Sequence, residues 1–303
     1  MSDRIKSLAL FTTIYPGVEP FLKDWYASLR SQTDQDFQVW IGLDELTSAA
    51  AIDAMGGDPD ATWIPAPPGD SPAQVRQRAL EDIVTGYDAV VMVDSDDILH
   101  PTRVASARAA LETSDLNGCA LRLVDVQGQD LGLSFRLPEG KMGQDILPRN
   151  NVYGLSNTAY RSDTLRRCLP IPTETALIDW YLATRAWLLG ARLSFDQAVR
   201  MDYRQHGANM ARVRPPFSPQ VVVEDTALVR RHFRIITASL PEGALPERID
   251  MLRQTAMEVE SFHRNIVLQP DKLAHYVEEL NAARPHLLWW SCVAHPSQRH
   301  MWT

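Results

Sequence analysis

A chain of 303 residues with 30 Lys+Arg against 38 Asp+Glu has a formal charge of −8, so no global basic field draws it to nucleic acid or anionic lipid. That length suits one large α/β domain, or a domain with an extension. Cys119, Cys168 and Cys292 lie far apart without C-x-x-C spacing, which reads as buried, reduced thiols in a cytoplasmic protein.

Ser7 to Ile14 is a β-rich apolar run closed by Tyr15-Pro16-Gly17, a strand followed by a turn. The run is too short for a signal peptide, and no stretch nears the ~18 apolar residues of a membrane span. Phe21 to Ser31 sets Phe21, Leu22, Trp25, Tyr26 and Leu29 at helical spacing. Phe37 to Leu43 is a second strand, with Asp44-Glu45 at its carboxyl end. Trp63-Ile64 precedes a Pro/Gly-rich loop, Pro65 to Asp70; Ala73 to Thr85 then reads as a helix, Ala89 to Val93 as a strand and Pro101 to Thr113 as a helix. This alternation predicts a parallel sheet with helices on both faces, and ligands bind such sheets beyond the strands' carboxyl ends. Asp44 and Asp94 to Asp97 fall there.

From about residue 118 the segments shorten: β pieces over Cys119–Val126 and Leu131–Phe135, a helix over Asp179–Leu189, then β pieces at Arg192–Phe195 and Met201–Tyr203. After Pro215-Pro216 the pattern is helical, over Val221–Ile236, Glu247–Ile266 and Asp271–Ala282. A boundary near 215 therefore divides a catalytic domain, 1–215, from a helical extension, 216–303. In the extension, Leu287-Leu288-Trp289-Trp290 suits packing on the first domain, a homodimer contact, or a peripheral contact with the cytoplasmic membrane.

The strand Val90-Val91-Met92-Val93 stops on Asp94-Ser95-Asp96-Asp97. Carboxylates crowded at a strand end repel one another and call for a cation. A helix N-terminus gathering acids accounts for one of them, not three. Hard oxygens at this spacing suit Mg²⁺ or Mn²⁺.

Taken together, the motifs resemble a family 2, GT-A-fold glycosyltransferase over roughly residues 7 to 210. The resemblance rests on Leu8 to Thr13, on Ser28-Leu29-Arg30-Ser31-Gln32-Thr33, on Trp40-Ile41-Gly42-Leu43-Asp44, and on Asp94-Ser95-Asp96-Asp97 followed by Pro101. It implies an α/β, Rossmann-like catalytic domain with a mixed, mostly parallel sheet. It also implies a nucleoside diphosphate sugar donor, most often UDP-linked, and a glycan, lipid-linked or other hydroxyl acceptor. Thr13 and Asp44 would contact the nucleotide base, although Asp44-Glu45-Leu46-Thr47 stands where the family has Asp-Asp-Gly-Ser. Val75-Arg76-Gln77 resembles the family's Ala-Arg-Asn, which turns Arg76 toward base or diphosphate. Asp96 would hold the metal, Asp94 the ribose or the metal, with Asp97 able to exchange roles with Asp96.

Tyr153-Gly154-Leu155-Ser156-Asn157-Thr158 resembles the acceptor loop, giving Gly154, Ser156 and Asn157. Asp179-Trp180-Tyr181-Leu182 resembles the motif whose aspartate is the general base, with Trp180 counted to the acceptor side and Ile178 where the family has an acid. A base there, across the anomeric carbon from the diphosphate, inverts that centre. In Tyr203-Arg204-Gln205-His206-Gly207-Ala208-Asn209, the resemblance gives His206 to the metal site or the diphosphate and Arg204 to the phosphates. Two other readings stay open: a non-catalytic sugar-nucleotide or glycan binder on the same fold, and a metal-dependent phosphatase. Phosphatases of the haloacid dehalogenase type carry Thr or Val where Ile98 stands, and their Asp-x-Asp follows the first strand rather than the third.

Overall fold

The computed structural model describes residues 4–207, 209, 213–283 and 287–303; Ala208 of the Tyr203–Asn209 motif lies outside them. The chain begins with the alternation β1 (Leu8–Ile14), α1 (Glu19–Arg30), β2 (Gln38–Leu43), α2 (Ser48–Met55), β3 (Thr62–Pro65), α3 (Pro72–Gly86) and β4 (Ala89–Met92). These four strands run parallel in the order β3-β2-β1-β4. β1 is buried along its whole length, as an apolar strand covered on both faces must be. α3 starts where its sequence tells it to. Ser71 caps the Gln74 N–H, Gln74 returns a bond to the Ser71 N–H, and Pro72 fills a position that needs no donor.

The second half is mixed. It comprises β5 (Ile98–Leu99), α4 (Arg103–Ala110), β6 (Leu116–Val124), β7 (Asp130–Phe135), α5 (Gly143–Ile146), β8 (Thr158–Arg161), α6 (Ser162–Cys168), α7 (Ile178–Leu188) and β9 (Leu193–Arg204). The sheet continues β4-β8-β6-β9-β5, with β8 antiparallel to both neighbours and β6 parallel to β9. The two β pieces expected at 192–195 and 201–203 are one twelve-residue strand, whose polar middle bends through register shifts opposite Cys119 to Leu121. Ile98 pairs with Asp202, which draws the end of β9 beside the acids after β4.

The extension adds α8 (Pro219–Ala238), α9 (Pro246–Phe262) and α10 (Pro270–Ala283). One continuous hydrophobic core runs from β1 through these helices to Trp302. The three cysteines are buried and no disulfide joins them. No helix among the described residues is long and apolar enough to cross a membrane. A bilayer role for Leu288, Trp289 and Trp290 is corrected by their burial. Trp289 packs on Phe135 at 4.1 Å between ring centroids and edge-on to Tyr203 at 5.8 Å. It also closes over Gly154, where a Cβ would stand 2.5 Å from its ring.

Candidate active site

The carboxyl ends of β1, β2 and β4 converge, with Thr13 opposite Gly42 and Phe11 opposite Met92. Thr13 is buried, and its carbonyl accepts the Ser95 hydroxyl at 2.8 Å, tying the end of β1 to the acidic turn. Asp44, first residue past β2, donates its N–H to the Ile14 carbonyl at 2.9 Å. Burial and then the Glu45 charge raise its carboxyl, against a lowering by Arg76.

The three acids divide by environment. Asp96 faces His206, with Oδ2 2.8 Å from Nε2, and the imidazole is stacked on Phe21 at 5.1 Å between centroids. Asp97 is buried and engaged at both oxygens: Oδ1 accepts the Arg204 N–H at 2.8 Å and Oδ2 accepts the Ser156 hydroxyl. Burial and the charges of Asp96 and Asp94 push it well above the usual carboxylate range. Asp94 also receives the Ser156 hydroxyl, at 3.3 Å, and lies 4.0 Å from Arg76. Burial, reinforced by Asp96, pushes Asp94 up to about 7. Of the two aspartates that could have exchanged roles, Asp96 is the one turned to the histidine.

Asp179 begins α7. Its Oδ1 accepts the Trp180 N–H at 2.8 Å and its Oδ2 accepts the Asn151 amide at 2.7 Å. Burial raises its pKa to about 6 despite these donors and the Arg76 charge. Asp94 senses the Asp179 charge in turn, so Arg76 stands among Asp44, Asp94 and Asp179.

Several expected contacts are placed elsewhere. Arg204 is 1% exposed. Its guanidinium bonds the Asp96 and Val126 carbonyls, each at 2.8 Å, and Asp24 at 3.0 Å, and lies 4.9 Å over Phe21. It braces the acidic turn from behind rather than facing a phosphate. Trp180 is also core: its indole N–H donates to the Leu147 carbonyl at 2.9 Å and its ring stacks on His232 at 4.2 Å. Asn157 is buried, donating to the Cys119 and Val152 carbonyls. Ser156 bridges Asp94 and Asp97, and Gly154 makes room for Trp289. Asn151, Phe21 and Tyr15 belong to the site without having been singled out. Tyr15, whose hydroxyl is raised by burial and by the Asp96 and Asp94 charges, looked only like a turn residue, and nothing local marked Asn151.

Whether this donor set fits Mg²⁺ or Mn²⁺ turns on how open it is. Among the described residues no three His, Cys, Asp or Glu side chains form a group able to hold a metal. Asp96 and His206 do converge, and a hard cation held by one or two protein ligands completes its shell with phosphate oxygens and water. The pair fits such an open site and not a closed protein cage.

No family model matches the sequence, and no curated protein matches it. Solved structures do. S. aureus TarS 1–349 in complex with UDP-GlcNAc is 16% identical, with a TM-score of 0.55 over 91% of this chain and 92% of that one. Mannosyltransferase PcManGT from Pyrobaculum calidifontis, in complex with GDP-Man and Mn²⁺, is 15% identical, with a TM-score of 0.59 over 94% of this chain and 77% of that one. At such identity the likeness is one of fold. The chain has a GT-A-type glycosyltransferase fold.

Proposed function

We propose that the chain is an inverting, metal-dependent glycosyltransferase, moving a sugar from a nucleoside diphosphate sugar to a hydroxyl of a glycan or lipid-linked acceptor. In this reading residues 1–215 are catalytic and 216–303 are a helical extension. One observation carries it. Asp96 pairs with His206 at 2.8 Å, and Asp94, 4.0 Å from Arg76, feels the charges of both Asp96 and Asp179. The fold shared with enzymes bound to UDP-GlcNAc or GDP-Man points the same way.

Thr13, Asp44 and Arg76 bind the nucleotide and its diphosphate. Asp96 and His206, with Asp94 beside them, would hold Mg²⁺ or Mn²⁺, which when bound neutralises charge on the leaving diphosphate. Asp179, kept anionic above about pH 6 and aimed by Asn151 and the Trp180 N–H, takes the proton of the acceptor hydroxyl. The freed oxygen attacks the anomeric carbon from the opposite face. A glycosidic C–O bond forms while the bond to the diphosphate breaks, the diphosphate keeping the electron pair. The sugar leaves with its anomeric configuration inverted.

The test is thermal stability with UDP, GDP, CDP or dTDP, each with Mn²⁺ and with EDTA. Stabilisation by one nucleotide that requires the metal supports the reading and identifies the donor's nucleotide. No metal-linked shift with any of the four overturns it.

A further inference from the structure

α1 holds both segments that meet at Asp96 and His206. Phe21 and Asp24 are three residues apart on it and so share a face of the helix. The Phe21 ring stacks on His206, with 5.1 Å between centroids, and the Arg204 guanidinium lies 4.9 Å over the same ring. Asp24 pairs with that guanidinium at 3.0 Å. Farther along, the Ser28 hydroxyl accepts the Leu99 N–H at 3.1 Å. Gln32, just past the helix, donates to the His100 carbonyl at 2.9 Å and accepts the Val104 N–H at 3.1 Å. The Thr33 N–H reaches the Pro101 carbonyl at 2.8 Å. The motif Ser28 to Thr33 thus grips the segment that follows the acids, while Phe21 and Asp24 grip the end of β9 and the histidine beyond it.

Arg204 carries this hold to the acids themselves. Its Nε donates to the Asp96 carbonyl and its backbone N–H to Asp97 Oδ1, each at 2.8 Å, while a further guanidinium N–H meets the Val126 carbonyl at 2.8 Å. Arg204 is 1% exposed, and a charge so deeply buried needs a counter-charge. Asp24 supplies it, although its own side chain is 55% exposed. Loss of a half-exposed carboxylate changes little where both partners face water. Here the partner is buried, and its planar fork joins Asp24 directly to the main chain of Asp96. Alanine at position 24 would free one arm of the fork and let the guanidinium leave the Asp96 carbonyl.

We propose that Asp24 is a positioning residue of the metal site: through Arg204 it fixes the main chain of Asp96, and so sets the affinity of the Asp96–His206 pair for a divalent cation. The proposal rests on the reading of that pair as the metal site, and adds to it a helix that holds the ligands without touching the ion.

The experiment titrates Mn²⁺ alone into the full chain and follows water-proton relaxation, which responds to weakly held ions. Only binding that His206→Ala abolishes counts as binding at this site. Its affinity should fall about tenfold in Asp24→Ala, at the low end of the range for partners that orient a metal ligand. Asp24→Asn loses the charge but keeps an oxygen that accepts from the guanidinium, and should bind Mn²⁺ nearly as the natural chain does. Equal losses in the two variants would assign the effect to the field of the carboxylate and overturn the positioning role. Undiminished affinity in a folded Asp24→Ala overturns it as well. Melting curves in EDTA establish folding. Where Asp24→Ala is not folded, Arg204→Lys serves, because it keeps the charge and loses the fork; it should show the same loss, and undiminished affinity there overturns the proposal. Absence of His206-dependent Mn²⁺ binding in the natural chain also overturns it. The transferase reading survives that result if nucleotide binding proves metal-linked, and falls with it otherwise.

Discussion

Asn151 and Asp179 are joined side chain to side chain, the amide donating to the carboxylate at 2.7 Å, although 28 residues separate them in the chain. A donor to the charged form favours that form, so the bond opposes the burial that raises Asp179 to about 6. A base works deprotonated, so transfer should be constant above about pH 6 and fall as pH drops below it. Asn151→Ala removes the opposing donor, so the pKa rises and the acid limb moves toward neutrality. The rate of that variant should fall more at pH 6 than at pH 8. Asp179→Asn should lose ~10²–10⁴ in kcat with nucleotide affinity retained. Lost nucleotide binding would instead remove Asp179 from the role of base.

Asp96 and His206 make a second test. If they hold the cation, Asp96→Asn and His206→Ala should each collapse the difference in nucleotide-induced melting shift between Mn²⁺ and EDTA. Phe21→Leu removes the ring stacked on the imidazole and should weaken that difference without abolishing it. A full metal response in His206→Ala would leave the histidine as a stacked structural residue.

The acids after β4 were legible because three carboxylates at one strand end repel one another, and the strand before them is apolar throughout. β1, β2 and β4 were legible because each is a mainly apolar run, whereas the four-residue β3 shows in the sequence only as Trp63-Ile64 before a loop. Other features required contacts the sequence does not display. α2 is a short alanine-rich helix after a polar loop, without a wide apolar stripe, and β8 is only four residues long. Arg204 beside His206 reads as a phosphate ligand, yet its guanidinium is absorbed by Asp24 and two carbonyls brought in from distant segments. Trp180 reads as an acceptor contact, yet α8, which follows it by some forty residues, covers its ring with His232.

Asp97 should tolerate loss of its charge better than loss of its oxygens. Burial and two neighbouring acids favour its neutral form, while its oxygens serve the Arg204 N–H and the Ser156 hydroxyl. Asp97→Asn keeps an acceptor for Arg204, turns a donor to Ser156 and relieves repulsion with Asp94 and Asp96. It should melt at or above the temperature of the natural chain in the absence of metal. Asp97→Ala strands both donors and should cost ~1–3 kcal/mol or more in urea unfolding. Strong destabilisation by Asp97→Asn would mean that the charged form is the one the fold requires.

Gly154 and Trp289 connect the tail to the acids. An added Cβ at Gly154 would stand 2.5 Å from the indole, and Phe135 and Tyr203 leave that ring little room to retreat. Gly154→Ala should therefore destabilise by ~1–3 kcal/mol, the range of overpacking in a filled core. Trp289→Leu opens a cavity, at a cost of ~2–5 kcal/mol for so large a truncation. In the double variant the methyl occupies space that the smaller side chain has vacated, so the combined loss should be less than the sum of the two. Strict additivity would mean the two groups do not meet. Because Ser156, two residues on, hydrogen-bonds Asp94 and Asp97, Gly154→Ala should also weaken metal-linked nucleotide binding. Recovery of that binding in the double variant, along with stability, would show that a tryptophan of the tail sets the position of the loop that holds the acids.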